Sequence, residues 1–389
     1  MDRLYEFMIR QLDRVDGTFH RYVYDAISWE NRMLGLVGPR GVGKTTLFLQ
    51  RIKEHHSVDD TLYVTADHLY FADHSLLETA EAFAKSGGRF LFIDEVHKYP
   101  NWSRELKMMF DSLPDVRVYF TGSSVLDIEK GEADLSRRAP KYAMPGLSFR
   151  EYLAIRHGIE APLLSIDDIV AHREGVPGVD HPLPLFKDYL KRGYYPFGSD
   201  VDFDIELGQV IARTLEVDIP QFAGMTAATG RKLKKLMAIV STLVPFKPNM
   251  TSLGSQIQAS RNNIEDYLGY MEKAGMIAQL RGAEDGLAAL GKVEKVYLDN
   301  TNILYNLSDG AEDVGTVRET FFLNQTRVGH AVSASRASDF QIGDMTFEVG
   351  GKSKGRDQLK GTKRGFVVKD DIERGFGNVL PLWAFGLLY

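Results

Sequence analysis

Short apolar runs recur through the first third of the chain. Met33–Val37, Leu62–Thr65, Phe90–Ile93 and Val116–Thr121 each lie between polar stretches, and the last two end beside charged or hydroxyl residues. Runs this short and this apolar predict strands buried on both faces. Between them the apolar positions take helical spacing. Residues 1–30 read as helical, with Leu4, Phe7, Met8, Leu12 and Val15 at helical spacing, and Thr46–Ile52 reads as a helix start. Strands alternating with helices predict a parallel α/β sheet covered on both faces.

The pattern changes after about residue 145. Helical segments punctuated by Pro162, Pro177, Pro182, Pro184 and Pro196 run to about residue 230. Leu233, Leu236, Met237, Ile239, Val240 and Leu243 then form one helix stripe, followed by a turn with Pro245 and Pro248. Two short helices, a strand at Met276–Leu280 and a glycine-bearing loop at Gly282–Gly291 come next. A last segment of the chain follows from Val296 to Tyr389.

Composition narrows the possible functions. The chain has 389 residues, enough for two to four domains. It is 44% hydrophobic and 26% charged, so it can bury real cores. Lys+Arg number 47 against 53 Asp+Glu, a net charge of −6 that excludes a uniformly basic coat but not a local basic patch. There is no cysteine, which excludes disulfides, Cys-ligated zinc, iron–sulfur clusters and thiol catalysis. The charged N-terminus is unlike a signal peptide, and no run reaches the length of a membrane span. These features predict a cytoplasmic protein with no membrane partner. His55-His56 and His68/His74 read as surface residues and form no metal set.

The chemistry concentrates after the first strand. Gly38-Pro39-Arg40-Gly41-Val42-Gly43-Lys44-Thr45, followed by Thr46, fits G-x-x-x-x-G-K-[ST] between a strand and a helix. Its glycines let backbone N–H groups wrap phosphates, and the helix N-terminus adds its dipole. Lys44 is expected to reach the β- and γ-phosphates of ATP, and the Thr45 hydroxyl to ligate Mg²⁺. The third run ends in Asp94-Glu95. Asp94 would hold Mg²⁺ through water, and Glu95 would orient or deprotonate the attacking water, a group that hydrolysis needs and binding does not. The fourth run ends in Thr121-Gly122-Ser123-Ser124, where Thr121 and Ser123 are candidates to sense the γ-phosphate, with ordinary turn chemistry as the alternative.

These motifs in this order resemble the AAA+ group of P-loop ATPases. Leu135-Ser136-Arg137-Arg138, Pro145-Gly146-Leu147-Ser148-Phe149-Arg150-Glu151-Tyr152 and Leu215-Glu216-Val217-Asp218-Ile219 make the chain similar to the AAA+ family with a C-terminal DUF4143 domain. The resemblance implies an AAA+ core with a parallel sheet over residues 1–150 and a helical lid or linker over 151–230. It further implies a winged helix-turn-helix over 231–298 and an α/β nuclease-like domain over 299–389. It also implies that Arg138 contacts the γ-phosphate, in its own subunit or in that of a neighbour within a homo-oligomer. A helix-end surface pair, Arg137 with Arg138, is the alternative.

Two possible DNA contacts follow. Ser260 is a good N-cap for a second helix whose buried stripe is Ile264, Tyr267, Leu268 and Met271, a winged-helix pattern. Ser260, Arg261, Asn262 and Asn263 suit phosphates and adenine edges, whereas Glu265, Asp266 and Glu272 would repel DNA, so a packing module stands as the other reading. In the last segment Glu319, Asp339 and Glu348 suggest the PD-(D/E)XK pattern that the resemblance implies, with two acids for Mg²⁺ and a lysine to activate water. Gly350 stands where that lysine belongs, and Lys352 is displaced by two residues. The basic run Lys352, Lys354, Arg356, Lys360, Lys363 and Arg364 reads either as a phosphate-backbone contact or as a solvated loop. The functional expectation is an Mg²⁺-dependent ATPase, binding ATP and ADP, that moves its C-terminal units on DNA. The alternatives are a slowly hydrolysing nucleotide-gated switch and an ATP-controlled nuclease.

Overall fold

Five strands form the first sheet: β1 (Met33–Val37), β2 (Thr61–Thr65), β3 (Phe90–Asp94), β4 (Arg117–Gly122) and β5 (Lys141–Ala143). Their order is β2-β3-β4-β1-β5 and every pairing is parallel. This is a computed structural model, and it describes residues 1–122, 135, 137–282, 292–308, 310–351, 359 and 362–389. The apolar runs fall on β1 to β4 because both faces of each strand are covered, which removes any alternation. Strand β5 has no apolar run, and its burial is only partial, as expected of an edge strand.

The helices of this unit are α1 (Asp2–Leu12), α2 (Val23–Ala26), α3 (Lys44–His55), α4 (Leu76–Lys85) and α5 (Trp102–Ser112). Residues 1–30, expected to be helical throughout, are helical only in α1 and the single turn of α2, with residues 13–22 and 27–30 outside both. Leu4 and Met8 of α1 are buried. Between sheet and helices, Leu62, Val64, Leu91, Ile93, Val118 and Phe120 share one core with Leu76, Phe83, Leu106 and Met109. Helix α4 starts at a reciprocal capping box, Ser75 with Glu78.

The chain divides into two compact units, Met1–Pro145 and Gly146–Tyr389. The second unit opens with α6 (Phe149–His157), α7 (Ile166–Val170), α8 (Leu183–Arg192) and α9 (Phe203–Arg213). A π-helical turn, Thr214–Asp218, leads into α10 (Ile219–Ala223) and α11 (Ala227–Leu243). Helices α12 (Met250–Ile257) and α13 (Arg261–Lys273) come next, then an antiparallel hairpin of β6 (Ile277–Arg281) and β7 (Val293–Leu298). Helices α14 (Thr301–Ser308) and α15 (Val314–Thr326) precede a second five-stranded sheet. It contains β8 (Val332–Ala334), β9 (Phe340–Ile342), β10 (Met345–Gly350), β11 (Gly365–Lys369) and β12 (Val379–Pro381), in the order β12-β11-β10-β9-β8. This sheet is mixed: β10, β11 and β12 run parallel, and β8 and β9 pair antiparallel. Phe322 of α15 packs on Phe340, Phe347 and Phe385 at ring-centroid distances of 4.8–5.4 Å. Among the described residues no helix is long and apolar enough to cross a membrane.

The Leu147–Tyr152 string has a structural role. Ser148 and Glu151 form a capping box that starts α6. The Ser148 hydroxyl also donates to the carbonyl of Tyr389, the last residue, at 2.7 Å, and both side chains of the box are buried. Ser148→Ala removes the cap and leaves buried groups without their partner. It should lower the stability of the second unit by about 1–2 kcal/mol. The midpoint of chemical unfolding checks this, and an unchanged midpoint contradicts it.

Candidate nucleotide site

The loop between β1 and α3 lies at the carboxyl edge of the first sheet, where open α/β sheets place their ligands. Gly41 and Gly43 have φ of +82° and +97°, a region that glycine enters without strain. Gly43 is also the N-cap of α3, so the helix starts at Lys44. Gly38 is fixed by space: a Cβ there would lie 2.1 Å from the Met144 carbonyl oxygen. Val42 is fully buried and anchors the loop. A residue missed in the sequence, Arg21, clamps the loop from behind. Its guanidinium donates to the Val42 carbonyl at 2.6 Å and to the Pro145 carbonyl at 2.7 Å. Such buried charge-assisted bonds are strong, but a lone arginine before the first strand gives no sequence signal.

Lys44 folds back on its own loop. Its ammonium donates to the Gly38 and Pro39 carbonyls at 2.9 and 2.8 Å. Only 5% of the residue is exposed, and that burial, opposed by Glu95 and Asp94, lowers its pKa to about 8. Asp94 lies at the end of β3 and is 3% exposed. Its Oδ2 accepts from the Thr45 hydroxyl at 2.6 Å and from the Tyr63 hydroxyl at 2.9 Å. Its Oδ1 accepts from the Thr121 hydroxyl and, at 3.1 Å, from the Glu95 N–H. Tyr63 on β2 was hidden inside an apolar run, where a tyrosine reads as core. Burial and the Asp94 charge raise its pKa, so it stays a donor.

Glu95 follows with φ +51°, which turns its side chain away from the strand direction. Burial raises its carboxyl pKa, with Asp94 adding to the rise and Lys44 opposing it. His97 Nε2 lies 3.6 Å from Glu95 Oε2, and the histidine side chain is 4% exposed. Burial, with Lys98, Lys44 and Arg40 nearby, lowers its pKa to about 3. The ring is therefore neutral, and the contact is not an ion pair.

The structure thus brings Lys44, Thr45, Asp94, Glu95 and Thr121 together. Thr121 spends its hydroxyl on Asp94 and on the Glu95 N–H, which it meets at 3.0 Å, and not on an open γ-phosphate position. Ser123 lies outside the described residues. Gly38 to Gly43 and Thr46 occupy the loop and the first turn of α3. A carboxylate and a hydroxyl 2.6 Å apart form a hard-oxygen donor set that fits Mg²⁺.

Arg138 is not in this group. Its guanidinium pairs with Asp111 at 3.1 and 3.2 Å. Asp111 lies near the end of α5, which leads to the start of β4, and the adjacent Phe110 carbonyl accepts from Arg32, the residue before β1. Arg138 therefore sits at the amino edge of the sheet, about 16 Å (one five-residue strand) from the phosphate loop. It does not reach a γ-phosphate in its own subunit.

In the second unit Ser260 caps α13 by accepting from the Asn263 N–H, and Ile264, Tyr267, Leu268 and Met271 are buried. Arg261, Asn262, Asn263, Glu265 and Asp266 are exposed. Glu272 turns to the hairpin instead, accepting from Gln279 and from Arg281 at 2.8 Å, so it does not belong to the exposed face as expected. Arg364 is paired with Asp344 and Asp167, and residues 352–358 and Lys360 lie outside the described residues.

Residues 30–153 match a family model described as an AAA domain. Residues 183–313 match a domain of unknown function, DUF8612, where the resemblance implies DUF4143. No curated protein matches the chain. Among solved structures, the Walker-type ATPase PABY2304 of Pyrococcus abyssi is 15% identical with a TM-score of 0.46, over 76% of this chain and 99% of that one. C. elegans PCH-2 is 14% identical, TM-score 0.27, over 69% and 67%. A structure concerning katanin self-assembly is 15% identical, TM-score 0.27, over 68% and 80%.

The Lys44 environment generates a pH prediction. A lysine with a lowered folded pKa carries its full burial penalty below about 8, where both states are protonated. Between about 8 and its ordinary 10.5 only the unfolded state holds the proton, so its contribution to stability rises with pH. Lysine side-chain NMR on nucleotide-free protein should show one titration near 8 that is missing in Lys44→Met. A Lys44 titration above 10 contradicts this.

Proposed function

We propose that the chain is an Mg²⁺-dependent ATPase whose turnover takes place in the first unit. The observation that carries this reading is the meeting of Lys44, Thr45, Asp94 and Glu95 at one sheet edge, with the Glu95 carboxyl desolvated. The N–H groups of Gly41 to Thr46 bind the phosphates of ATP or ADP at the start of α3. Lys44 exchanges the Gly38 and Pro39 carbonyls for phosphate oxygens, whose negative charge raises its pKa and favours its charged form. Thr45 and Asp94 hold Mg²⁺, which when bound neutralises charge on the β- and γ-phosphates. Glu95 orients the attacking water and accepts its proton, and its raised pKa makes it the stronger base. Catalysis of this kind is positioning and electrostatics, with little covalent work for the protein.

Arg138, at the far edge of its own sheet, acts on the nucleotide of a neighbouring copy in a homo-oligomer. Its planar guanidinium suits spreading phosphoryl charge. Cysteine-free composition supports a cytoplasmic setting. In the second unit, helices α12 and α13 with the β6–β7 hairpin support a winged-helix reading. The exposed Arg261, Asn262 and Asn263 at the start of α13 favour DNA as its partner. The domain division at residues 150, 230 and 298 is part of the same proposal.

Steady-state turnover with Mg²⁺, with and without duplex DNA, tests this. Lys44→Ala should lose ATP binding, and Glu95→Gln should retain binding while turnover falls by about 10²-fold or more. ATP binding without turnover in the unaltered protein overturns the ATPase reading and leaves a nucleotide-gated switch.

A further inference from the structure

The PD-(D/E)XK pattern expected in the last segment needs two acids around a divalent cation and a nearby lysine. The lysine position is Gly350, buried at the end of β10. The structure supplies a lysine from another element, and places it where the cation belongs. Lys295, on β7, puts its Nζ 3.1 Å from Glu319 Oε2 and 3.2 Å from Asp339 Oδ1. The two acids come from α15 and from the residue before β9, so this one ammonium ties three elements together. Each acid side chain is 16% exposed.

Neighbouring groups add to this pairing. Tyr297, two residues along β7, donates its hydroxyl to Glu319 Oε2 at 2.7 Å. Asp339 Oδ2 accepts the Val349 N–H at 3.0 Å. The third acid, Glu348, is 1% exposed and its Oε2 is met by the Ser338 hydroxyl. Burial opposes the charge on Lys295, yet Glu319 and Asp339 outweigh it and hold the ammonium above its usual range. Among the described residues no three acids or histidines are arranged to hold a metal ion. Magnesium bonds to oxygen at about 2.1 Å, so an ion between these two carboxylates would lie nearly on top of the ammonium. At that separation two positive charges repel strongly, so the lysine and the metal exclude each other.

We infer that Lys295 is a built-in cation for the Glu319–Asp339 pair, so that this part of the second unit takes no divalent metal and cuts no nucleic acid. The residues do not fit the metal that the nuclease resemblance implies. The acids instead hold β7, α15 and β9 in register. A lysine that merely moved aside for a metal and then activated water would need both acids free of it.

The test is Mn²⁺ binding to the full chain without nucleotide, read by the electron paramagnetic resonance of free Mn²⁺. The unaltered protein and Asp339→Asn should bind Mn²⁺ alike. Lys295→Met should gain one Mn²⁺ per chain, at least tenfold tighter than any background, and adding Asp339→Asn should abolish the gain. Mn²⁺ binding by the unaltered protein that Asp339→Asn removes overturns the inference. So does a cooperatively folding Lys295→Met with no gain. Should Lys295→Met fail to fold, the first comparison decides alone, and plasmid nicking by the unaltered protein that is lost in Asp339→Asn also overturns it. The outcome is independent of the ATPase reading, because neither residue belongs to the first unit.

Discussion

The first unit depends on one buried carboxylate. Asp94 is nearly sealed from water, and an uncompensated charge there would cost many kcal/mol. It is compensated by hydroxyls from three elements, Thr45 of α3, Tyr63 of β2 and Thr121 of β4, and by the Glu95 N–H. Each bond fixes an element relative to the end of β3. Together they set the register of the phosphate loop's helix against the sheet, and they turn the next residue, Glu95, into its left-handed conformation. The positions of Lys44 and Glu95 follow from that knot. Arg21 completes it by holding the loop's Val42 carbonyl from the other side.

The second unit solves a similar problem differently. Its α15 is buried nearly all round, polar residues included: Asn324, Gln325 and Thr326 lie inside. Gln325 meets Tyr189 and Tyr389, and Asn324 bonds the Asp299 carbonyl, while Arg327 pairs with Asp299. Buried polar networks of this kind specify one arrangement, because a half-satisfied one is costly. Lys295 between Glu319 and Asp339 follows the same logic with full charges.

The sequence made the first sheet legible because its strands are apolar without alternation and its loop glycines have a unique spacing. Met33–Val37 appears in the structure with those bounds, and the Asp94 carboxylate that ends β3 meets the loop's Thr45 hydroxyl. Strand β5 was not legible, since a three-residue edge strand has no pattern to read. Neither was Tyr63 or Arg21, whose roles depend on what folding brings near them. The Leu147–Tyr152 string stood out in the sequence for a reason visible only in the fold, a buried capping box tied to the last residue. Arg138 shows the opposite limit. The family resemblance implies a phosphate contact for it, and the direction of α5 and β5 carries it to the other sheet edge.

Asp94 organises the site, and in the function we propose it also holds Mg²⁺. The most direct measurement is the Mg²⁺ dependence of ATP binding in Asp94→Asn, alongside its unfolding curve. The amide keeps the shape and one acceptor, so Asp94→Asn should fold, still bind ATP and no longer gain affinity from Mg²⁺. Undiminished Mg²⁺ dependence in a folded Asp94→Asn would contradict it.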